Sequence, residues 1–387
     1  MSSMNPSAIR EMFKFNADIS FSAGSPSQDT FPVEDMAELA EDIFRNDYVA
    51  AFQYGITEGY DPLRRLTRER MASKYSVGTE DDSVIITTGG QQGIDLAIKC
   101  LTNEGDTVVC ENPSFIGALN DFRSYNTKII GVPLQSDGMD LGYLEKVLKA
   151  GNSIKMVYTI STFQNPTGIT MSFEKRKRLY ELAVQHNFVI LEDNPYFELR
   201  YSGEDIPNIK SLDKTGHVIF IGSYSKIISP GIRVGFAVVN KKISSKMTVA
   251  KQVQDIHTNS FFMILVAKYL EKYDIDTHIK KCCDVYVEKR DRMLSGLEMH
   301  MPDSVSFTRP DGGLYVWCEM PAGYSGTELC DYIGRRGVAV IPGYCLDVAE
   351  DRENPGFRLN FSVPSLRQID RGIELIGDSV REYLASK

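Results

Sequence analysis

The sequence predicts an α/β protein: a mostly parallel sheet covered by helices, followed by a smaller α+β unit. Three observations lead there. Between Asp82 and Phe236, short β-rich runs alternate with longer helical patterns, the order expected of a parallel sheet with helices on both faces. The small, polar and glycine-rich junctions fall mainly where strands end, and open α/β sheets bind ligands at the carboxyl ends of their strands. From Ser304 onward the pattern changes to strands interleaved with two helices. At 387 residues the chain suits two domains, because single cores stop growing at about 250 to 300 residues.

The elements follow in order. Strands are predicted at 83–88, 107–110, 128–134, 154–160, 188–192, 217–222 and 234–239, from runs rich in Val and Ile. Helices are predicted at 91–101, 114–125, 141–150 and 172–186. A long helical region follows from Lys241 to about Met301, interrupted near 273–277. The C-terminal part predicts strands at 305–308, 313–319, 338–341 and 356–362, with helices at 327–336 and 365–386. The expected division is an N-terminal segment 1–50 packing on the small domain or on a partner subunit, a large domain 51–280 and a small domain 281–387.

Composition narrows the functional classes. Hydrophobic residues make up 42% and charged residues 25%, as in a soluble globular protein, and no apolar run approaches the roughly 20 residues of a membrane span. The first 20 residues lack the charged-then-apolar order of a signal peptide, so the expected location is cytoplasmic. The seven cysteines have no zinc-type or secretory spacing and read as reduced thiols, the adjacent Cys282 and Cys283 included. His186, His217, His257, His278 and His300 show no ligand spacing, so no metal is expected. A net charge of −9 argues against nucleic acid, and any anionic ligand must be met by a few local cations.

Such cations stand at one strand end. In Ser223-Tyr224-Ser225-Lys226-Ile227-Ile228-Ser229-Pro230-Gly231-Ile232-Arg233-Val234-Gly235-Phe236, a lysine among serines follows an apolar run, and an arginine lies one short loop away. Two more strand ends bear Asn165-Pro166-Thr167-Gly168, which alone is equally well a turn, and Glu192-Asp193-Asn194-Pro195-Tyr196. Burial and a neighbouring cation favour an unprotonated lysine, as a Schiff base requires. A pyridine aldehyde bearing a phosphate would then use a carboxylate (Asp193) at its ring nitrogen, donors (Asn165, Tyr196) at its ring oxygen, and an anion nest. Pyridoxal phosphate fits these needs. The nest would combine Ser223, Ser225 and Arg233 with the strand-to-helix loop Thr87-Thr88-Gly89-Gly90-Gln91-Gln92-Gly93. Gly231 and Gly235 would let the chain turn beside it, and Ser229 has no assigned role.

Together these motifs resemble a pyridoxal-phosphate-dependent aminotransferase of fold type I, class I/II. The similarity is strongest to the 2-aminoadipate/kynurenine-type subgroup, which also supplies the catalytic domain of MocR-type regulators. It extends to Phe21-Ser22-Ala23-Gly24-Ser25-Pro26, Gln53-Tyr54-Gly55-Ile56-Thr57-Glu58-Gly59-Tyr60, Pro310-Asp311-Gly312-Gly313-Leu314-Tyr315-Val316-Trp317 and Phe357-Arg358-Leu359-Asn360-Phe361-Ser362.

The resemblance implies a seven-stranded-type sheet in the large domain. It implies Lys226 as Schiff-base lysine and proton shuttle, Asp193 at the pyridine nitrogen, and Asn165 and Tyr196 at the ring oxygen. Arg358 would take the substrate carboxylate in a bidentate pair, with Gly24 beside it. Tyr54 would reach the phosphate of a neighbouring subunit, implying a homodimer with shared sites. Two positions depart from the pattern: Gly90 stands where the family commonly has serine, and Phe115 where it has a ring-stacking tyrosine.

The implied reaction moves an amino group from an L-amino acid (aminoadipate, aromatic or branched) to a 2-keto acid, 2-oxoglutarate being the expected acceptor. A carbon-sulfur β-lyase shares the lysine, aspartate and arginine and stays open as an alternative, as does a non-catalytic ligand-sensing regulator. The expected catalytic pattern begins almost at once, at Phe21, leaving no room for the regulators' DNA-binding domain. Tyr60, Phe31, Phe13 and Phe115 are apolar candidates for the substrate pocket.

Overall fold

The computed structural model describes residues 17–349 and 353–387. The pocket candidate Phe13 lies outside the described residues. In chain order the strands are β1 (Ile19–Ser20), β2 (Asp82–Thr87), β3 (Thr107–Asn112), β4 (Lys128–Gln135), β5 (Gly138–Met139), β6 (Ile154–Thr159) and β7 (Val189–Asp193). They continue as β8 (Val218–Ser223), β9 (Gly235–Asn240), β10 (Ser306–Phe307), β11 (Tyr315–Glu319), β12 (Val338–Ala339), β13 (Ile341–Pro342) and β14 (Gly356–Asn360).

The large sheet has the order β2-β9-β8-β7-β6-β3-β4-β5. Pairings β3·β4, β3·β6, β6·β7 and β7·β8 are parallel, whereas β9 runs antiparallel to both β2 and β8. Consequently β2, β3, β6, β7 and β8 all end at one edge. Every residue of β8 is buried, which is why the strand reads as an unbroken apolar run instead of an alternating one. The seven long strands match the expected number. The eighth, β5, is a two-residue hairpin arm on β4, too short to leave a periodic signal.

The smaller antiparallel sheet has the order β10-β11-β14-β13. The single strand expected at 338–341 is divided because its halves have different partners: β12 pairs in parallel with β1, and β13 pairs with β14. Residues 19–21 thus lie along the C-terminal unit, where Phe21 N donates to Ala339 O at 2.8 Å and Asn360 N donates to Phe21 O at 2.8 Å.

The helix Leu366–Ala385 begins with a reciprocal cap between Ser365 and Gln368. It packs on the long helix Ile275–His300, with a close approach at Gly377, where a Cβ would lie 2.5 Å from His300 O. The helical region after Lys241 has a break that the periodicity does not reveal. It resolves into Lys241–Gln254, Ser260–Lys272 and Ile275–His300, interrupted at 255–259 as well as at 273–274. Asn259 caps the second helix through its side chain.

Candidate active site

A cavity of about 310 Å³ opens at the shared strand edge. Three strand ends supply its reacting groups. After β8 the chain turns, with Ile228 N donating to Tyr224 O at 2.8 Å, and Lys226 projects into the cavity. Its Nζ donates to Gly24 O at 2.6 Å and lies 5.6 Å from the Tyr196 ring centroid. Withdrawal from water lowers the lysine pKa to about 8. Repulsion from Arg358 and Arg233 adds to this, while Asp193 opposes it.

Asp193 ends β7 and is buried. Burial pushes its pKa up to about 7, although a donated hydrogen bond from Tyr158 and the charge on Lys226 both pull it down. The Tyr158 hydroxyl donates to Asp193 Oδ2 at 2.7 Å. A buried carboxylate with one neutral donor in contact favours a cationic partner on its cavity side.

The loop after β6 presents Asn165. Its Oδ1 accepts from Arg358 Nη1 at 3.0 Å, and its Nδ2 lies 3.4 Å from the Tyr196 hydroxyl. Glu111 anchors the start of this loop, accepting from Thr159 Oγ1 at 2.6 Å and Ile160 N at 3.1 Å. Gln164 fixes the middle by donating to Pro113 O at 2.9 Å and accepting from Thr167 N at 2.9 Å.

Arg358, on β14, donates from Nη2 to Ser22 O at 2.8 Å, and its guanidinium lies 4.5 Å over the Tyr315 ring. Its buried Nε has no hydrogen-bond acceptor among the described residues. Such a donor is costly unless a ligand takes it.

The opposite wall is built to hold an anion. Ser223 and Ser225 are buried there. Arg233, at φ +54°, donates from Nη2 to Thr88 O at 3.1 Å. The helix Gly90–Leu101 begins at this point without a side-chain cap, so its first N–H groups face the cavity end. Gly89 has φ +77°, and a Cβ on it would lie 2.3 Å from Arg233 Nη2.

Gly235 serves a different purpose from the turn expected of it. A Cβ there would sit 2.7 Å from the Gly89 carbonyl carbon and 2.8 Å from Gly90 N, so its smallness permits close backbone approach. Gly231 has no positive φ, and its surroundings leave room for a Cβ. The turn assigned to it is instead made by Arg233.

Gly24, Gly90, Gln91, Phe115, Asn165, Asp193, Tyr196, Ser223, Ser225, Lys226, Arg233 and Arg358 all line this one cavity. Tyr54 does not. It is 77% exposed, its ring edge-on to His257 at 5.9 Å. Of the apolar pocket candidates, Phe115 lines the cavity. Tyr60 packs partly buried against the core, and neither it nor Phe31 is in the lining. Two tyrosines were not singled out from the sequence: Tyr158 beneath Asp193, and Tyr315, whose hydroxyl lies 3.2 Å from that of Tyr196. Among the described residues no cluster of side chains suits a metal ion.

Comparison with known proteins agrees with this geometry. Residues 17–376 match the family model for aminotransferase class I and II. The chain belongs to that family. This class I and II aminotransferase is 39% identical to aromatic-amino-acid aminotransferase 1 of Thermococcus litoralis, covering 98% of this chain and 93% of the relative. It is 36% identical to the 2-aminoadipate transaminase of Thermus thermophilus, over 98% and 95%. It superimposes on the Pyrococcus horikoshii kynurenine aminotransferase, solved with PMP, at a TM-score of 0.95 and 37% identity, covering 99% and 96%.

The aminotransferase takes pyridoxal 5′-phosphate as cofactor, and its residues fit that group. An amine, a buried carboxylate, an anion-ready helix start and an arginine guanidinium face one cavity. No described helix is long and apolar enough to cross a membrane.

Proposed function

We propose that this aminotransferase moves the amino group of aromatic, branched or 2-aminoadipate-type L-amino acids to a 2-keto acid, with 2-oxoglutarate as the acceptor. The observation that carries the proposal is the sharing of one cavity by the Lys226 amine, the Asp193 carboxylate and the Arg358 guanidinium. The names of the relatives support the aromatic and 2-aminoadipate donor classes.

When bound, the cofactor supplies an aldehyde that accepts the amino group and a ring that draws electrons from the substrate Cα. The protein's residues do the rest. Asp193, held in place by Tyr158, would keep the ring nitrogen protonated. Asn165 and Tyr196 would donate to the ring oxygen, and Phe115 would lie on the ring side of the cavity. Ser223, Ser225, Arg233 and the N–H groups of Gly90 and Gln91 hold the phosphate. Arg358 would take the substrate carboxylate in a bidentate pair, beside Asn165 and Gly24.

Lys226 would act as the base that takes the proton from the substrate Cα. With a pKa of about 8, about one amine in ten is unprotonated at pH 7, against about one in 3,000 at the ordinary value. That makes the side chain usable as a base near neutrality.

We also infer a homodimer in which the partner subunit's Tyr54 completes the phosphate site. Phe44, Val49, Phe52, Tyr54 and Val253 are each more than half exposed, and the Phe44 ring lies 5.9 Å from Phe52 and 5.3 Å from Phe261. An apolar patch of this kind favours a protein partner. The proposed domain division at 50 and 280 places Ile275–His300 across the second boundary. A net charge of −9 supports a protein free of nucleic-acid partners, and we propose a cytoplasmic location for it.

The test is incubation of the holoenzyme with aromatic, branched and aminoadipate donors plus 2-oxoglutarate. Glutamate should form, and the Lys226→Ala variant should form none. Pyruvate and ammonia from cystathionine without an acceptor would place the enzyme among the β-lyases instead.

A further inference from the structure

Behind the anion loop, Lys251 is completely buried. Its Nζ donates to both Asp255 carboxylate oxygens at 2.8 and 2.9 Å, to Gln92 Oε1 at 2.7 Å and to Thr258 Oγ1 at 3.1 Å. Gln92 Nε2 donates in turn to Asp255 Oδ2 at 2.7 Å, which closes a ring of three side chains. A buried ammonium needs this degree of satisfaction. Burial works against ionisation of Asp255, yet the donors Lys251, Gln92 and Thr88 hold its pKa below the ordinary value.

The ring converges on Thr88, the residue before Gly89 and Gly90. Thr88 N donates to Gln92 Oε1 at 2.8 Å, Thr88 Oγ1 donates to Asp255 Oδ2 at 2.8 Å, and Thr88 O accepts from Arg233 Nη2 at 3.1 Å. All three polar groups of this residue are therefore fixed. Two are fixed by the network, and the third passes the constraint to a guanidinium facing the cavity.

The segment that places Asp255 and Thr258 around Lys251 includes Ile256 at φ +65°. A β-branched side chain rarely adopts that conformation, and such outliers persist where surrounding contacts over-determine them.

We propose that Lys251 and Asp255 are positioning residues for the cofactor phosphate, presetting through Thr88 the backbone of 87–90 and the Arg233 guanidinium. The inference rests on the anion-loop reading above. Locking site groups by a supporting layer of hydrogen bonds reduces the ordering that binding must impose. The network touches neither Lys226 nor Asp193, so it acts on the phosphate and not on the ring.

That selectivity supplies the test. Apoenzyme is titrated with pyridoxal phosphate and, separately, with phosphate-free pyridoxal, for the wild type, Asp255→Asn and Thr88→Val. Thr88→Val keeps the Lys251–Asp255 pair intact and guards against a folding defect in the first variant. Both variants should weaken pyridoxal phosphate binding, Asp255→Asn by about tenfold, and leave pyridoxal binding unchanged. They should also diminish protection of the apoenzyme against heat by inorganic phosphate.

An unchanged ratio of the two dissociation constants in both variants would overturn the proposal, whether the individual values move or not. Wild-type protein that binds no pyridoxal phosphate would instead overturn the reading of the site, and the inference with it.

Discussion

The Tyr158 hydroxyl donates to Asp193 Oδ2 at 2.7 Å, joining the middle of the sheet to the carboxylate at its edge. Both side chains are buried, so the bond fixes the Asp193 carboxylate before any ligand arrives and holds its pKa down against the effect of burial. Tyr158→Phe leaves a buried oxygen without that donor. The expected outcome is a loss of about tenfold in kcat/KM, measured with any accepted donor. A variant equal to the wild type would show that Asp193 needs no support from beneath.

Arg358 donates from Nη1 to Asn165 and from Nη2 to Ser22 O, and each of these nitrogens carries a second N–H for a substrate carboxylate. Lysine cannot reproduce that planar fork. Arg358→Lys should raise KM for the amino donor by about a hundredfold, with a smaller change in kcat. Steady-state kinetics with the donor varied measures both, and a loss confined to kcat would contradict a role in carboxylate binding.

Lys226 makes the ligand-free protein less stable. Its folded-state pKa lies below the ordinary 10.5, so between about pH 8 and 10.5 the unfolded chain binds more protons and stability rises with pH. The penalty is fully present below pH 8 and absent above 10.5. Lys226→Met should therefore raise apoenzyme stability by on the order of 3 kcal/mol at pH 7, and the gain should fade as pH approaches 10.5. Urea unfolding at several pH values measures it, and a gain independent of pH would attribute the effect to packing.

Phe52 is 68% exposed beside Phe44, an arrangement that suits a subunit interface. Phe52→Asp should shift the protein from dimer to monomer in sedimentation experiments and abolish activity with the loss of the partner's Tyr54. A fully active monomer would refute shared sites.

Much of this site is legible in the sequence because its chief groups follow apolar runs at strand ends. Lys226 and Asp193 stand within a few residues of the end of an apolar run, and Asn165 in the polar loop that follows one. Tyr158 and Tyr315 give no such signal. A buried aromatic in a strand looks like core, and only the tertiary structure shows its hydroxyl aimed at Asp193 or Tyr196.

The division of 338–341 into two strands was hidden for the same reason. Its halves differ in partner and not in composition. The interruption at 255–259 was marked by polar residues, yet the helical period on either side masked it. Tyr54 could be linked to the phosphate only through the family resemblance, since within one chain it faces outward.

The most direct test of the central claim is borohydride reduction of the holoenzyme followed by peptide mass mapping. The account predicts a single phosphopyridoxyl adduct, on the peptide containing Lys226. The buried lysines are occupied: Lys210 by Asp82 and Asp213, Lys251 by Asp255, and Lys289 by Ser27 and Ser362 O. An adduct on any of these, or none at all, would contradict it.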